Sequence, residues 1–283
     1  MGLALLLAGL VRAEGAKPFF FIQLTDPQFG MCAKDADFQQ ETANFEFAIA
    51  TANRLKPAFV VVTGDLINKA GDAAQAEEYL RICAKLDRSI RLYHVPGNHD
   101  VDNVPTPEGI AAYTAGFGPD HYSFREGNLL GLVLDSCLIA APKGAAKLPD
   151  EQEAWLKAEL QKAKLQNVRH VIVFQHHSWF LAQPDEPDGY ENVPRAQRGR
   201  YLELLRQFGV SHVFAGHYHG NRTACDGPLE MVTTCAIGKP LRKDESGLRI
   251  VIVREDRIEH RYYQMGAIPN KLELAPKKAP AKK

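Results

Sequence analysis

Two patterns of apolar spacing alternate along the chain. Short apolar runs recur at residues 19–25, 58–63, 90–95, 129–134, 170–174 and 210–215. They are mostly continuous rather than strictly alternating, as expected for strands buried on both faces of a sheet. Between them lie stretches with helical spacing. Residues 39–55 put Phe45, Ala48, Ile49, Ala52 and Leu55 on one face, and Pro57 closes that helix. Further helices are predicted at 72–86, 106–115, 150–164 and 195–208. In the helix at 150–164, Asp150 is the expected N-cap with Glu153 completing a capping-box variant, and Trp155, Leu156, Leu160 and Ala163 face the core. Residues 122–124 and 129–134 form a hairpin across Glu126, Gly127 and Asn128. Strands at 229–237, 248–253 and 258–263 are expected to complete a second sheet.

The polar residues that punctuate the strands carry the chemistry. The first run ends in Asp26-Pro27-Gln28, the second in Gly64-Asp65, and the third in Pro96-Gly97-Asn98-His99-Asp100. Two later runs deliver Gln175-His176-His177 and Gly216-His217-Tyr218-His219. Open α/β sheets place their sites at the carboxyl ends of strands, so these segments are expected to converge. Taken singly, each is also a plausible polar turn. Carboxylate, amide oxygen and imidazole together suit divalent ions and proton transfer. Gly97 is expected to let the chain turn sharply after its strand. His177 is expected to point to the opposite face, away from the site. His94, His121, His170, His212 and His260 read as ordinary core or surface residues. The segment 183–200 is a long loop and helix start, and Arg195, Arg198 or Arg200 is a candidate phosphate clamp there.

The ordered set Asp26-x-Gln28, Gly64-Asp65, Gly97-Asn98-His99-Asp100, His176 and Gly216-His217-x-His219 resembles the calcineurin-like metallophosphoesterases. The resemblance spans residues 19 to about 263. It implies an α/β class and a four-layer α/β/β/α sandwich, with two mixed sheets flanked by helices and a two-metal site between them. It also implies the ligand roles. Asp65 would bridge both metals. Asp26 and His219 would hold the first, with Gln28 beside it, and Asn98, His176 and His217 would hold the second. Segments 26–30, 173–176, 216–219, 236–238 and 260–263 further resemble a serine/threonine-phosphatase branch of that family. The expected cofactors are two divalent ions, Mn, Fe or Zn, with Mn favoured.

Two such ions, two carboxylates and a hydroxide leave a site of about +1, which attracts a phosphoryl group. The implied reaction is in-line attack of a metal-bridging hydroxide. His99, oriented by Asp100, would protonate or stabilise the leaving oxygen. Gln28 departs from the family pattern, in which many members have His, and predicts a weaker first-metal site biased toward harder ions. The expected activity is phosphomonoester hydrolysis, with phosphoserine or phosphothreonine as candidate substrates. A phosphodiesterase or nucleotide diphosphatase would use the same ligands. A non-catalytic binding protein is the remaining alternative, and Gln28 is its only support.

Composition narrows the setting. Lys plus Arg and Asp plus Glu are equal at 34 each, which argues against a general nucleic-acid surface. With no linker or repeat in the middle, residues 14–268 are expected to form one domain. Residues 3–11 are apolar but too short to span a bilayer as a helix. Followed by Val11-Arg12-Ala13, they predict a signal peptide over 1–13 and an exported protein, or a cytoplasmic one if the stretch is not a signal. Residues 269–283, rich in Lys, Pro and Ala, are expected to be a disordered tail. Five cysteines show no C-x-x-C pair, so most are expected as buried thiols. Pairing of Cys225 with Cys235 is left open, and Cys32 is placed near the site without a role.

Overall fold

The computed structural model describes residues 17–274. In chain order the elements are β1 Phe19–Leu24, α1 Gln39–Leu55, β2 Phe59–Thr63, α2 Ala73–Cys83, β3 Arg91–Val95, α3 Asn98–Val101 and α4 Pro107–Phe117. These are followed by β4 Tyr122–Glu126, β5 Leu129–Val133, α5 Ser136–Ala140, α6 Leu148–Leu165, β6 His170–Phe174 and α7 Arg195–Gln207. The chain closes with β7 His212–Ala215, β8 Arg222–Asp226, β9 Leu229–Thr233, β10 Gly247–Val253 and β11 Ile258–Gln264.

The strands form two mixed sheets, ordered β11-β10-β1-β2-β3 and β4-β5-β6-β7-β9-β8. Their inner faces meet through Phe21, Phe59, Val61 and Val95 on one side and Val133, Ile172, Phe174 and Phe214 on the other. Phe21 stacks on Phe59 at 4.5 Å and meets Phe174 and Phe214 edge-on at 5.6 and 5.7 Å. The outer face of the first sheet, with Ile22, Leu24, Val60 and Val62, packs on Phe45, Ala48 and Ile49 of α1 and Tyr79 and Ile82 of α2. Leu130, Leu132, Val171 and Val173 do the same for the second sheet against α6 and α7. Burial on both faces is why these strands read as unbroken apolar runs. Each parallel strand ends at the same edge of the sandwich, which fixes where the polar segments emerge.

Several expectations need correction. β10 and β11 join the first sheet, β10 running antiparallel to β1, rather than completing the second. β8 was not foreseen because an edge strand in a hairpin needs no apolar face, and its residues are mostly exposed. α6 begins at Leu148, two residues before the expected cap. Asp150 and Glu151 lie in its first turn, where they favour the helix dipole, and Glu153 pairs with Lys157 and Arg200 instead of capping. Trp155 is only half-buried, at the margin of that helix's core.

The expected tail starts too early. Leu272 and Leu274 pack against the first core, Arg54 holds the carbonyls of Pro269 and Asn270, and Arg254 holds that of Leu274. The rest of that segment and the expected signal peptide lie outside the described residues. Cys225 is exposed and Cys235 buried, both are free thiols, and the hairpin register places Cys225 opposite Glu230 instead. Among the described residues no helix is long and apolar enough to cross a membrane.

Candidate dimetal site

Five turns bring the predicted side chains together at the carboxyl edge of the two sheets. Asp26, Gln28, Asp65, His217 and His219 all have positive φ, between 43° and 66°. Such conformations cost on the order of 1–3 kcal/mol for non-glycine residues, and their concentration at one place marks a functional site. Backbone bonds hold them: Asp26 N–H donates to the Gly64 carbonyl at 3.1 Å, Gln28 N–H to Asp65 at 2.8 Å, and Gly216 N–H to His176 at 3.0 Å. Gly97 has φ −115°, so it is not there for a left-handed turn. It is there because a Cβ would lie 2.1 Å from Asp65 N. Gly216 is equally constrained, its Cβ position being 1.8 Å from Thr25 Oγ1.

Two donor sets share Asp65. Asp65, His176 and His217 form one; Asp26, Asp65 and His219 form the other; all of these residues are buried. His176 Nε2 lies 3.2 Å from Asp65 Oδ1, 3.0 Å from Asn98 Oδ1 and 3.2 Å from His217 Nδ1. His219 Nε2 lies 3.4 Å from Asp26 Oδ1. Donor atoms about 3.0–3.4 Å apart are the edges of an octahedron or tetrahedron around an ion with bonds near 2.1 Å.

The far nitrogens complete the test. His176 Nδ1 bonds the Thr63 carbonyl at 2.9 Å, His217 Nε2 that of Tyr190 at 2.8 Å, and His219 Nδ1 that of Lys239 at 2.6 Å. A nitrogen facing a carbonyl carries the proton, so each imidazole turns its lone pair inward, the second-sphere arrangement of metal-ligating histidine. The residues therefore fit two divalent ions.

The electrostatics of the polypeptide alone point the same way. Burial pushes the Asp26 carboxyl up. Burial also opposes ionisation of Asp65, but His176, and then His99 and His217, hold it below the ordinary range. Burial disfavours a charged His176, yet Asp65 and Asp26 raise it to about 9. Burial and the neighbouring His176 depress His217 to about 3. Without an ion, Asp65 and His176 favour a proton between them, and a divalent ion held by these residues would take that proton's place.

Gln28 has its Nε2 on Asn68 Oδ1 at 3.1 Å, while its buried Oε1 has no partner among the described residues. A buried amide oxygen left unpaired is costly, and coordination by an ion would satisfy it. Gln28→His should tighten the weaker of the two metal sites by about 10-fold or more and shift its preference toward Zn²⁺. Isothermal titration with Mn²⁺ and Zn²⁺ checks this; two equally tight sites in the unsubstituted protein would sink it.

The expected pairing of His99 with Asp100 does not occur. The His99 ring places Nδ1 2.7 Å from the Asn68 carbonyl, and its backbone N–H donates to Asp65 Oδ1 at 2.9 Å. Asp100 is buried and fully occupied with backbone. Oδ1 accepts from Leu66 and Ile67 N–H at 2.9 and 3.1 Å, and Oδ2 from Gly97 N–H at 2.8 Å. It pins the Asp65 turn to the Gly97 turn, so Asp100 is a positioning residue and His99 alone is the candidate proton donor.

His177 is also misplaced by strand logic, because β6 stops at Phe174 and the alternation ends with it. Its ring lies 4.3 Å from that of His217. Its Nδ1 bonds Ser136 Oγ at 3.0 Å, and Ser136 Oγ also accepts the His176 and His177 N–H groups. With both hydroxyl lone pairs taken, the Ser136 proton points to Nδ1, and His177 is the Nε2–H tautomer.

Tyr190 is a second omission. Besides its carbonyl bond to His217, its hydroxyl bonds Asn98 Nδ2 at 3.1 Å. Only its place in a long loop hinted at this. In that loop Arg198 is buried and bonds the carbonyls of Pro184, Glu186 and Val193, holding the loop's shape, while Arg200 pairs with Glu153. Neither is available as a phosphate clamp. Burial and Glu41 push the Cys32 thiol up to about 11, which leaves it without thiolate character at neutral pH.

His212, Glu230 and His260 also converge, away from this site. There Arg249 points a donor at His260 Nδ1 from 2.9 Å, so the ring's proton sits on Nε2 and faces Glu230. That cluster is a hydrogen-bonded link between the sheets, with the His260 Nε2 proton turned to Glu230 rather than a lone pair turned to an ion.

Residues 21–221 match the calcineurin-like phosphoesterase family. The chain belongs to that family. It is 37% identical over 276 residues to the serine/threonine-protein phosphatase CPPED1 of Homo sapiens, covering 92% of this chain and 88% of that protein. The Danio rerio counterpart is 36% identical over 269 residues, covering 90% and 87%. Among solved structures, a dimetal phosphatase from Danio rerio superposes with a TM-score of 0.65 at 18% identity, covering 87% of this chain and 96% of that one. A purple acid phosphatase from yellow lupin gives 0.65 at 12% identity, covering 89% and 52%.

GAP50, described as the anchor in the inner membrane complex of Plasmodium, also gives 0.65, at 13% identity and covering 88% and 85%. The fold alone therefore does not decide between catalysis and anchoring; the side chains at the site do. Family, named relatives and donor sets together make this chain a metallophosphoesterase, a hydrolase of phosphoester bonds that uses divalent ions.

Proposed function

We propose that the protein is a phosphomonoesterase acting on phosphoserine or phosphothreonine, with two ions, Mn²⁺ favoured. Asp65 would serve both ions, with Asp26, His219 and Gln28 holding one and Asn98, His176 and His217 the other. The observation that carries this reading is the double donor set on Asp65, each imidazole fixed by a backbone carbonyl. The substrate class rests on the relatives named serine/threonine-protein phosphatases. When bound, the ions supply charge neutralisation for the phosphoryl oxygens and a water activated at neutral pH.

The chain supplies the rest. The Thr63, Tyr190 and Lys239 carbonyls fix the ligand rings before substrate arrives, so little reorganisation is left for the reaction. The Asn68 carbonyl keeps a proton on His99 Nδ1 and leaves Nε2 to carry the proton given to the leaving alkoxide. His99 is half-buried, and so reaches both the buried Asp65 turn and substrate entering from solvent.

The test is hydrolysis of a matched aryl phosphate monoester and diester by chelated protein, before and after Mn²⁺ is restored. Monoester turnover that disappears on chelation and returns with Mn²⁺ is expected. Preference for the diester would overturn the monoesterase assignment.

A further inference from the structure

The segment between the two ligand histidines carries an aromatic ring with two cations on it. Tyr218 lies between His217 and His219 and is half-buried. The Arg242 guanidinium sits 4.6 Å from its ring centre and that of Arg222 5.1 Å, and Arg222 also donates to the Tyr218 hydroxyl at 2.9 Å. Both arginines are exposed. The Arg242 stem lies over Gly220, where a Cβ would be 2.7 Å from Arg242 Cγ, so the glycine makes room for it.

This shelf is tied to the metal ligands. His219 bonds the Lys239 carbonyl through Nδ1, and its own carbonyl accepts from Leu241 N–H at 3.1 Å, which anchors the strand of chain leading to Arg242. Arg242 then reaches Glu191 at 2.9 Å, next to Tyr190, whose carbonyl holds His217. Arg222 makes no ion pair among the described residues. Two guanidinium groups held within about 5 Å of one ring centre repel each other, and an anion bound within reach of both would offset that repulsion. Of the nearby acids, Glu191 faces only Arg242, and Asp244 is turned to the Asn221 N–H at 2.9 Å.

We infer that Tyr218, Arg222 and Arg242 form an anion subsite beside the dimetal centre, which selects phosphopeptides carrying a second anionic group near the phosphoresidue. The inference rests on the phosphatase reading above and names the substrate class within it. Arg222 takes the carboxylate or phosphate, and Arg242 leaves Glu191 to share it. Planar guanidinium groups suit either anion by paired hydrogen bonds.

The test is binding of non-hydrolysable phosphonate analogues of a phosphoserine peptide to the Mn²⁺-loaded protein by fluorescence anisotropy. One peptide has neutral flanks, one has aspartate flanks, and one carries a second phosphonate. The aspartate or doubly modified peptide should bind about fivefold more tightly than the neutral one, and the advantage should shrink as salt rises. The two anionic peptides tell carboxylate from phosphate recognition. Arg222→Gln, and separately Gly220→Ala, which displaces the Arg242 stem without removing charge, should bring the ratio of affinities toward one.

Equal binding of neutral and acidic peptides by the unsubstituted protein, or a ratio untouched by both variants, overturns the subsite. Aryl phosphate turnover is measured in parallel. A missing turnover with the binding ratio intact faults the phosphatase reading and leaves the subsite standing, whereas normal turnover with a ratio of one faults the subsite alone.

Discussion

Asp65→Asn is expected to lower phosphomonoester turnover by about three orders of magnitude and to reduce bound metal from two ions toward one or none. The substitution keeps the shape of the side chain. The amide oxygen can still accept the His99 N–H that Asp65 Oδ1 takes at 2.9 Å, so the turn itself should survive. What disappears is the single negative charge that both donor sets share. The neighbouring His176 is raised to about 9 against its burial chiefly by that charge, so its balance between proton and ion changes as well. Metal content by mass spectrometry, read with the thermal midpoint, separates loss of ions from loss of fold. Asp26→Asn serves as the comparison, because Asp26 belongs to only one of the two sets and should remove only one ion. An Asp65→Asn protein that retains both ions and full activity would contradict the shared-ligand geometry.

The parts of this site that the sequence disclosed are those governed by local rules. Continuous apolar runs marked β1, β2, β6 and β7 because burial on both faces leaves little room for polar residues. A ligand type followed each run, and parallel strands deliver their ends to one edge. The errors arose where geometry is not local. β10 and β11 lie next to each other in sequence and pair as a hairpin, and the sheet they join is chosen by the pairing of β10 with β1, which no periodicity encodes. Asp100 follows His99 in sequence, yet the carboxylate turns back to Leu66, Ile67 and Gly97 while the ring goes to Asn68. Tyr190 enters through a backbone carbonyl, an atom every residue has, so its identity carries no signal for that role. Ser136 bonds His177 across 41 residues, in a short helix that no apolar pattern announced.

Gly97→Ala should destabilise the protein and weaken metal binding together. The backbone at Gly97, with φ −115°, is open to alanine, so the whole effect is steric. The new methyl would lie 2.1 Å from Asp65 N and 2.2 Å from Asp65 Oδ1. Neither atom can swing away, one being main chain and the other already engaged by the His99 N–H. The two turns must therefore separate, against the three backbone bonds through which Asp100 clamps them. Overpacking of this kind costs about 1–3 kcal/mol. In a protein of this size that lowers the thermal midpoint by roughly 2–4 °C per kcal/mol. Displacing Asp65 also spoils both donor sets, so added Mn²⁺ should raise the midpoint of the variant less than that of the unsubstituted protein. Gly116→Ala is the control: it lies within α4 with nothing near its Cβ position, and should leave the midpoint unchanged or raise it slightly. If Gly97→Ala melts at the unsubstituted temperature and gains as much from Mn²⁺, the two turns are free to part, and the close approach of Gly97 to Asp65 is not what holds the ligands in register.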